Sequence, residues 1–462
     1  MRRIRRIIGV SLAALFLSFG FFTPGRVDAA EGPRVAPFVC DATPPLGQPM
    51  FCSDPLQTVE QPLLAKGIVL EADGQRYVLC ALDWCELCNG SYDKFREKVA
   101  AAAGTKPSNV AIQTLHQHTA PLVDCDAQKI LAEAGVPQFH ITPDAEEEIK
   151  TRLAESVKAA VARLEPFDRI GVGQAEVERV AANRRPVDET GKIRTRFSKC
   201  KDPKTIALPE GTVDPYLKTI TFLRGDKPLV RLHYYATHPQ TSYGDGRASS
   251  DFVGAVREKI EREEGITQIY FTGCAGDITV GKYNDGSKEC REALTKNLTA
   301  GMKAAIAATK TAPAGKITWR SYPLLFKPRT DSGYNLQDCI ELVNDSKAKP
   351  PTRSYTGAMR AAFHKRGDRP IELSCLEIGD VSILNLPGEP MICFQLFAQG
   401  LKPDDFVAVA GYGDGGPGYL CTKKAFFDNG GYEQTAQNVV PETESSLRAA
   451  IVKLLGISAK EK

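Results

Sequence analysis

The alternation of apolar and polar positions divides the chain into hairpins and helices. Residues 64–71 and 76–82 are apolar-rich runs separated by Ala72-Asp73-Gly74, which predicts a β-hairpin. The pattern recurs at 217–223 and 229–235 around Arg224-Gly225-Asp226-Lys227, and at 370–378 with 381–386. Single strands are expected at 109–113, 169–179, 266–271 and 406–411, and residues 316–328 read as extended. Helical character marks 91–103, with Ser91 as a cap, and 251–263, 290–309 and 441–454; a further helix opens at 391–396. Another starts at Thr142 and runs to about Leu164, with Pro143, Asp144 and Glu146 in its first turn, where a fixed φ and acidic groups suit the exposed N–H ends.

Between these elements, residues 186–215 are polar and loop-like, and 340–356 form a weakly patterned excursion. Residues 30–60, rich in Pro and Gly, read as an extended N-terminal arm. No internal repeat or low-complexity segment is visible. The order mixes hairpins with helices rather than repeating a strict βαβ unit. The expected class is α/β, with mixed, largely antiparallel sheets layered with helices in one main domain over 61–462.

The N-terminus changes the picture. Arg2, Arg3, Arg5 and Arg6 precede an almost wholly apolar stretch over 7–22, and Val27-Asp28-Ala29 offers a small-residue cleavage site. This pattern predicts a signal peptide over 1–29 and a secreted or periplasmic protein. The alternative is a retained membrane anchor, for which the apolar run is short. An oxidising compartment permits disulfides among the thirteen cysteines, and Cys40 with Cys52 is a plausible pair. Cys85-Glu86-Leu87-Cys88 reads as a disulfide clip or as buried thiols, because no second Cys-x-x-Cys follows at zinc-ribbon spacing. The net charge of +3, with no basic stripe and no interleaved aromatics, gives no sign of a nucleic-acid partner.

The chemistry gathers where strands meet turns. Two of the six histidines, His116 and His118, stand two positions apart at a strand's end, a spacing that puts both on one face. Arg184, His238, Asp277, Glu389 and Tyr419 occupy similar junctions, and loops held by a rigid sheet are common carriers of function. His, His and Glu together suit zinc, whose catalytic sites keep a position for water. A structural role for His238 before Pro239 is the competing reading. His233 is taken as packing or surface, and His140 and His364 as solvated. Gly273–Asp277 offers an anion cradle, Cys274 with His238 a thiol hydrolase, and the glycines of 411–418 would let Tyr412 or Tyr419 approach a site closely.

Six motifs in order carry a family likeness: Thr-x-His-x-His-x-x-Pro (114–121), Asn-Arg (183–184), Ala-x-His-Pro (236–239), Ala-Gly-Asp (275–277), Leu-Pro-Gly-Glu-Pro (386–390) and Gly-Tyr-x-x-Thr (418–422). Together they resemble the neutral/alkaline non-lysosomal ceramidase family over roughly residues 60–440. The resemblance implies a ceramidase-like catalytic domain, without a C-terminal immunoglobulin-like domain, that hydrolyses an amide with one Zn2+. It implies His116, His238, Glu389 and Tyr419 as metal ligands, and His118 and Arg184 as groups contacting the attacked carbonyl. Asp277 is implied as a residue of the Gly-Asp turn that orients the site.

The chain departs from the family at His118-Thr119-Ala120-Pro121, where members read His-Ser-Gly-Pro. It departs again at His238-Pro239-Gln240-Thr241-Ser242, where they read His-Pro-Thr-Ser-Met. The expected partner is a small-molecule or lipid amide, with peripheral membrane contact following from a lipid. The other readings are a zinc hydrolase for an ester or a non-lipid amide, and a non-catalytic exported binding protein of the same fold.

Overall fold

Each of the three expected hairpins is present, and each anchors one sheet. The computed structural model describes residues 32–428 and 430–457; the expected signal peptide lies outside them. In the first sheet the order is Val110–Thr114, Gln75–Leu82, Leu64–Ala72, Arg34–Asp41 and Glu165–Pro166. In the second it is Thr267–Thr272, Lys227–Tyr235, Tyr216–Arg224, Arg169–Glu176 and Lys310–Pro313. In the third it is Ile317–Leu324, Ile371–Ile378, Val381–Asn385 and Phe406–Ala410. The class is mixed α/β, as expected.

One connection recurs in all three sheets. The second hairpin strand leads into a helix, Asn89–Ala103, Asp251–Glu264 or Ile392–Leu401, and the chain returns as a parallel strand beside the one it left. The end-of-strand partners are Leu82 with Thr114, Tyr235 with Thr272, and Asn385 with Ala410. This ββαβ unit is a repeat of topology rather than of residues.

The strands are apolar on both faces because both are covered. On the inner face Ile68, Leu70, Leu79 and Ala111 of the first sheet join Ile220, Leu232 and Ile269 of the second and Leu376, Ile383 and Ala408 of the third in one core. On the outer face Val69, Val78 and Ile112 pack beneath Phe95 and Val99 of one helix and Ile149, Leu153 and Val157 of the Pro143–Val161 helix. Thr142 caps that helix, its Oγ1 accepting from the N–H of Ala145 at 3.2 Å.

Several local expectations are corrected. The stretch read as an arm contributes the Arg34–Asp41 strand, paired along its length with Leu64–Ala72. Ser91 is not a cap; it is buried in the first turn, accepting from the Cys125 N–H and donating to Glu146. The excursion at 340–356 holds the end of the Leu336–Asn344 helix and the start of a π-helical turn, Thr352–Ala358, that runs into Met359–Lys365. Cys125–Glu133 forms a helix that the pattern did not suggest, capped by Asp124. All thirteen cysteines are unpaired, so the Cys40–Cys52 disulfide is absent, and Cys85 and Cys88 are buried thiols. No helix among the described residues is long and apolar enough to cross a membrane.

A buried ion pair ties the first two sheets together at the end that carries the site. Arg257 donates to both oxygens of Asp83 at 2.8 Å, and both side chains are fully buried. Asp83 also accepts from the Leu64 N–H, and it precedes Trp84-Cys85, whose carbonyls hold His116. Arg257→Met leaves a buried carboxylate without its partner and should cost about 3–5 kcal/mol in urea unfolding. Asp83→Asn combined with Arg257→Met should recover part of that loss. A single variant as stable as the parent would show that the pair does not hold the sheets.

Candidate metal centre

The parallel strands end at a common junction. The Thr114 N–H donates to the Tyr412 carbonyl at 2.8 Å, the Gly411 N–H to the Thr272 carbonyl at 2.9 Å, and the Thr272 hydroxyl to the Leu115 carbonyl at 2.8 Å. Each strand end is therefore bonded to the other two. The residues just past it carry the site. His116, two beyond Thr114, adopts φ +66°, a left-handed conformation that L-residues rarely take and that turns the chain sharply inward. Its N–H is held by the Trp84 carbonyl at 3.0 Å. Glu389 follows Gly388, which has φ +59° and lies so close to the Gly418 carbonyl that a Cβ would sit 2.5 Å from it. Glu389 then pairs with Tyr419 in a short parallel ladder, which fixes the two side by side.

His116, His238 and Glu389 converge although the chain separates them widely. Their ligand atoms lie within 4.8 Å of one another, and all three are buried. The Nε2 atoms of His116 and His238 stand 3.1 and 3.0 Å from the same Glu389 oxygen. Their Nδ1 atoms face backbone carbonyls, Cys85 at 3.0 Å and Ile278 at 2.8 Å. A carbonyl only accepts, so each Nδ1 carries a proton, and each Nε2 meets the carboxylate across a shared proton or a shared cation. Burial and the nearby Arg184 drop His238 to about 3, which keeps it neutral. Burial also opposes charge on His116, but Glu389 beside it outweighs that and raises it. Burial pushes the Glu389 carboxyl up, yet the two imidazoles hold it well below the usual carboxylate range. Three converging acceptors with their outer nitrogens anchored to carbonyls form a donor set suited to a divalent cation of zinc's type.

The other expected residues surround this trio. His118 lies 5.3 Å from His116 between ring centroids and lines the same cavity. Its Nε2 accepts from the Gln240 amide at 2.5 Å, which leaves the proton on Nδ1, and that buried atom has no partner among the described residues. Burial, then the neighbouring imidazoles, push His118 well below the usual range. Tyr419 also lines the cavity, and its hydroxyl is 3.0 Å from Arg184 and 2.9 Å from Tyr432. Arg184 is 1 % exposed, bonds both phenols, and has a partnerless Nε. Asp277 does not reach the cavity. One of its oxygens accepts from the Asn183 amide and the other from the Ile392 N–H, so it holds the Asn183–Arg184 segment against the start of a helix.

The cavity has a volume of ≈ 340 Å³. Phe51, Leu122, Tyr355 and Met359 give it an apolar lining beside His116, His118, Glu389 and Tyr419, and Phe51 meets the His118 ring edge to face at 4.5 Å. Tyr432, Gln240 and Glu86 belong to this region without having been expected there. The glycine pair before Tyr432 resembles the run before Tyr419 and is a signal that could have found it. Tyr412 approaches as the glycine run suggested, stacked on His116 at 4.5 Å.

Other expectations resolve as packing. His140 is not solvated but buried, bonded to the Leu122 carbonyl and lowered by burial to about 4. His364 is partly buried against the Tyr334 carbonyl, and His233 is a core residue between Thr219 and Gln268. Cys274 is fully buried, and burial raises its thiol well above the usual range, which removes the thiol-hydrolase reading.

No protein-family model matches the sequence, and no curated protein matches it. Among solved structures, the chain is similar to the neutral ceramidase from Pseudomonas aeruginosa, with TM-score 0.68 and 16% identity over 93% of this chain and 75% of that one. A ceramidase complexed with C2 gives TM-score 0.67 and 15% identity over 92% and 76%. At that identity the likeness is one of fold, and the fold of this chain is ceramidase-like.

Proposed function

We propose that this chain is a zinc-dependent hydrolase that cleaves an amide bond of an N-acyl compound, of the broad class to which ceramide belongs, after export. The observation that carries the reading is the convergence of two imidazole nitrogens and one carboxylate oxygen at the end of an apolar-walled cavity. His116, His238 and Glu389 would hold the ion, with the Tyr419 hydroxyl as a fourth donor. When bound, zinc supplies a Lewis acid for a carbonyl and lowers the pKa of water toward ~7. An apolar wall beside these residues suits an acyl chain. The fold likeness to ceramidases favours amide over ester as the bond cut.

The remaining groups supply what such a cleavage needs from the protein. The free Nδ1–H of His118 is a donor for the substrate's carbonyl oxygen. Arg184, locked to Tyr419 and Tyr432, would favour negative charge on that oxygen through the Tyr419 phenol that lines the cavity. Pre-set donors of this kind are worth about 3 kcal/mol each in a water-poor site. Asp277 and Gln240 act through others, one seating Arg184 and the other fixing the His118 tautomer.

His116→Ala and Glu389→Gln should each abolish stoichiometric zinc uptake, read by elemental analysis after dialysis, together with hydrolysis of a panel of N-acyl amides. Arg184→Ala should keep the metal and lower kcat by roughly 10²–10³. Full activity in exhaustively chelated protein would overturn the metal reading. Cleavage of esters alone would replace amide with ester as the bond attacked.

A further inference from the structure

One carboxyl group in the cavity wall has only weak partners. Glu86 sits on the turn after Gln75–Leu82, the place in the first ββαβ unit that His238 and Glu389 occupy in the other two. Its side chain is 12 % exposed and lines the cavity. The contacts it makes are weak, a thiol of Cys88 at 3.5 Å and the Nδ1 edge of His116 at 3.8 Å. No lysine, arginine or backbone N–H reaches it among the described residues. Space for it is kept by Gly415, where a Cβ would lie 3.0 Å from Glu86 Oε2 and 2.7 Å from the Cys88 sulfur. Buried carboxyls are normally paired with a cation or several N–H donors.

The surroundings indicate the missing partner. Phe51 and Tyr355 meet edge to face at 5.2 Å and line the same cavity. Aromatic faces beside a carboxylate favour an organic cation. The cationic side chain lining the cavity, Arg360, is committed elsewhere: its terminal nitrogens bond the Gly333 and Thr435 carbonyls, and it lies over the Tyr334 ring. The wall therefore offers no free cation to an anionic substrate. We infer that Glu86 is a specificity-determining residue that receives a primary ammonium group, so that the amide cleaved by this chain carries a free amine near the scissile bond. This rests on the hydrolase reading for its chemistry, but the recognition is separable from turnover.

The test is calorimetric titration of zinc-loaded protein with n-hexylammonium and with 1-hexanol, for the parent and for Glu86→Gln. The kcat/KM of N-(2-aminoethyl)hexanamide is then compared with that of N-propylhexanamide. The parent should bind the ammonium at least about tenfold more tightly than the alcohol and prefer the ammonium-bearing amide by a similar factor. Glu86→Gln should bring both ratios to about one. Ratios of about one in the parent, or ratios that Glu86→Gln leaves unchanged, would overturn the inference, and the parent comparison decides even if the variant does not fold. Glu86-dependent ammonium binding without turnover of either amide would sink the hydrolase reading and leave the recognition standing. Turnover of both amides at one rate would do the reverse.

Discussion

Three electron-pair donors face one another in a space from which water is largely excluded. The imidazoles of His116 and His238 spend their Nδ1 protons on backbone carbonyls and turn their Nε2 atoms toward Glu389. Such an arrangement repels itself unless a cation or extra protons lie between the members. Protonating both imidazoles would bury two positive charges against one negative, and burial already holds His238 neutral. A divalent cation resolves the repulsion with one ion. The anchoring carbonyls come from the segments that follow the Gln75–Leu82 and Thr267–Thr272 strands, so the donor set is built by the backbone as much as by the side chains.

The repeated ββαβ connection explains how residues so far apart in the chain meet. Each unit sends two strand ends to the same edge, and the junction of Thr114, Thr272 and Gly411-Tyr412 bonds the three units to each other. The turns beyond are then free to differ. One contributes His116 and Glu86, another His238 and Asp277, and the third Glu389 and Tyr412. Metal ligation, positioning and substrate recognition can be divided among equivalent places on one scaffold because packing is settled behind the junction.

Most of the architecture was legible in the sequence because the strands are long, apolar and bounded by turns such as Ala72-Asp73-Gly74. The hairpins, the long helices and the class follow from that periodicity. The motifs placed His116, His238 and Glu389 at strand ends, and the structure brings those three together. Other features were not legible, for definite reasons. The ββαβ repeat is one of hydrogen-bond topology, and its three copies share no residue pattern. The Arg34–Asp41 strand was hidden by its Pro-rich surroundings. The π-helical turn at Thr352–Ala358 is polar on a sequence scale, and it contributes Tyr355 and Thr356 to the cavity. His140 looked solvated because its sequence neighbours are polar, whereas its burial is set by residues distant in the chain. Glu86 gave no signal, since a glutamate beside two cysteines is ordinary until the lack of a strong partner is seen in three dimensions.

The claim on which all of this depends is that a metal ion occupies the space between His116, His238 and Glu389. Crystals of the zinc-loaded protein, measured above and below the zinc absorption edge, address it directly. The account requires one strong anomalous peak about 2.0–2.2 Å from both Nε2 atoms and a Glu389 oxygen. No peak there, or a peak held by other side chains while these three keep their mutual contacts, would contradict it.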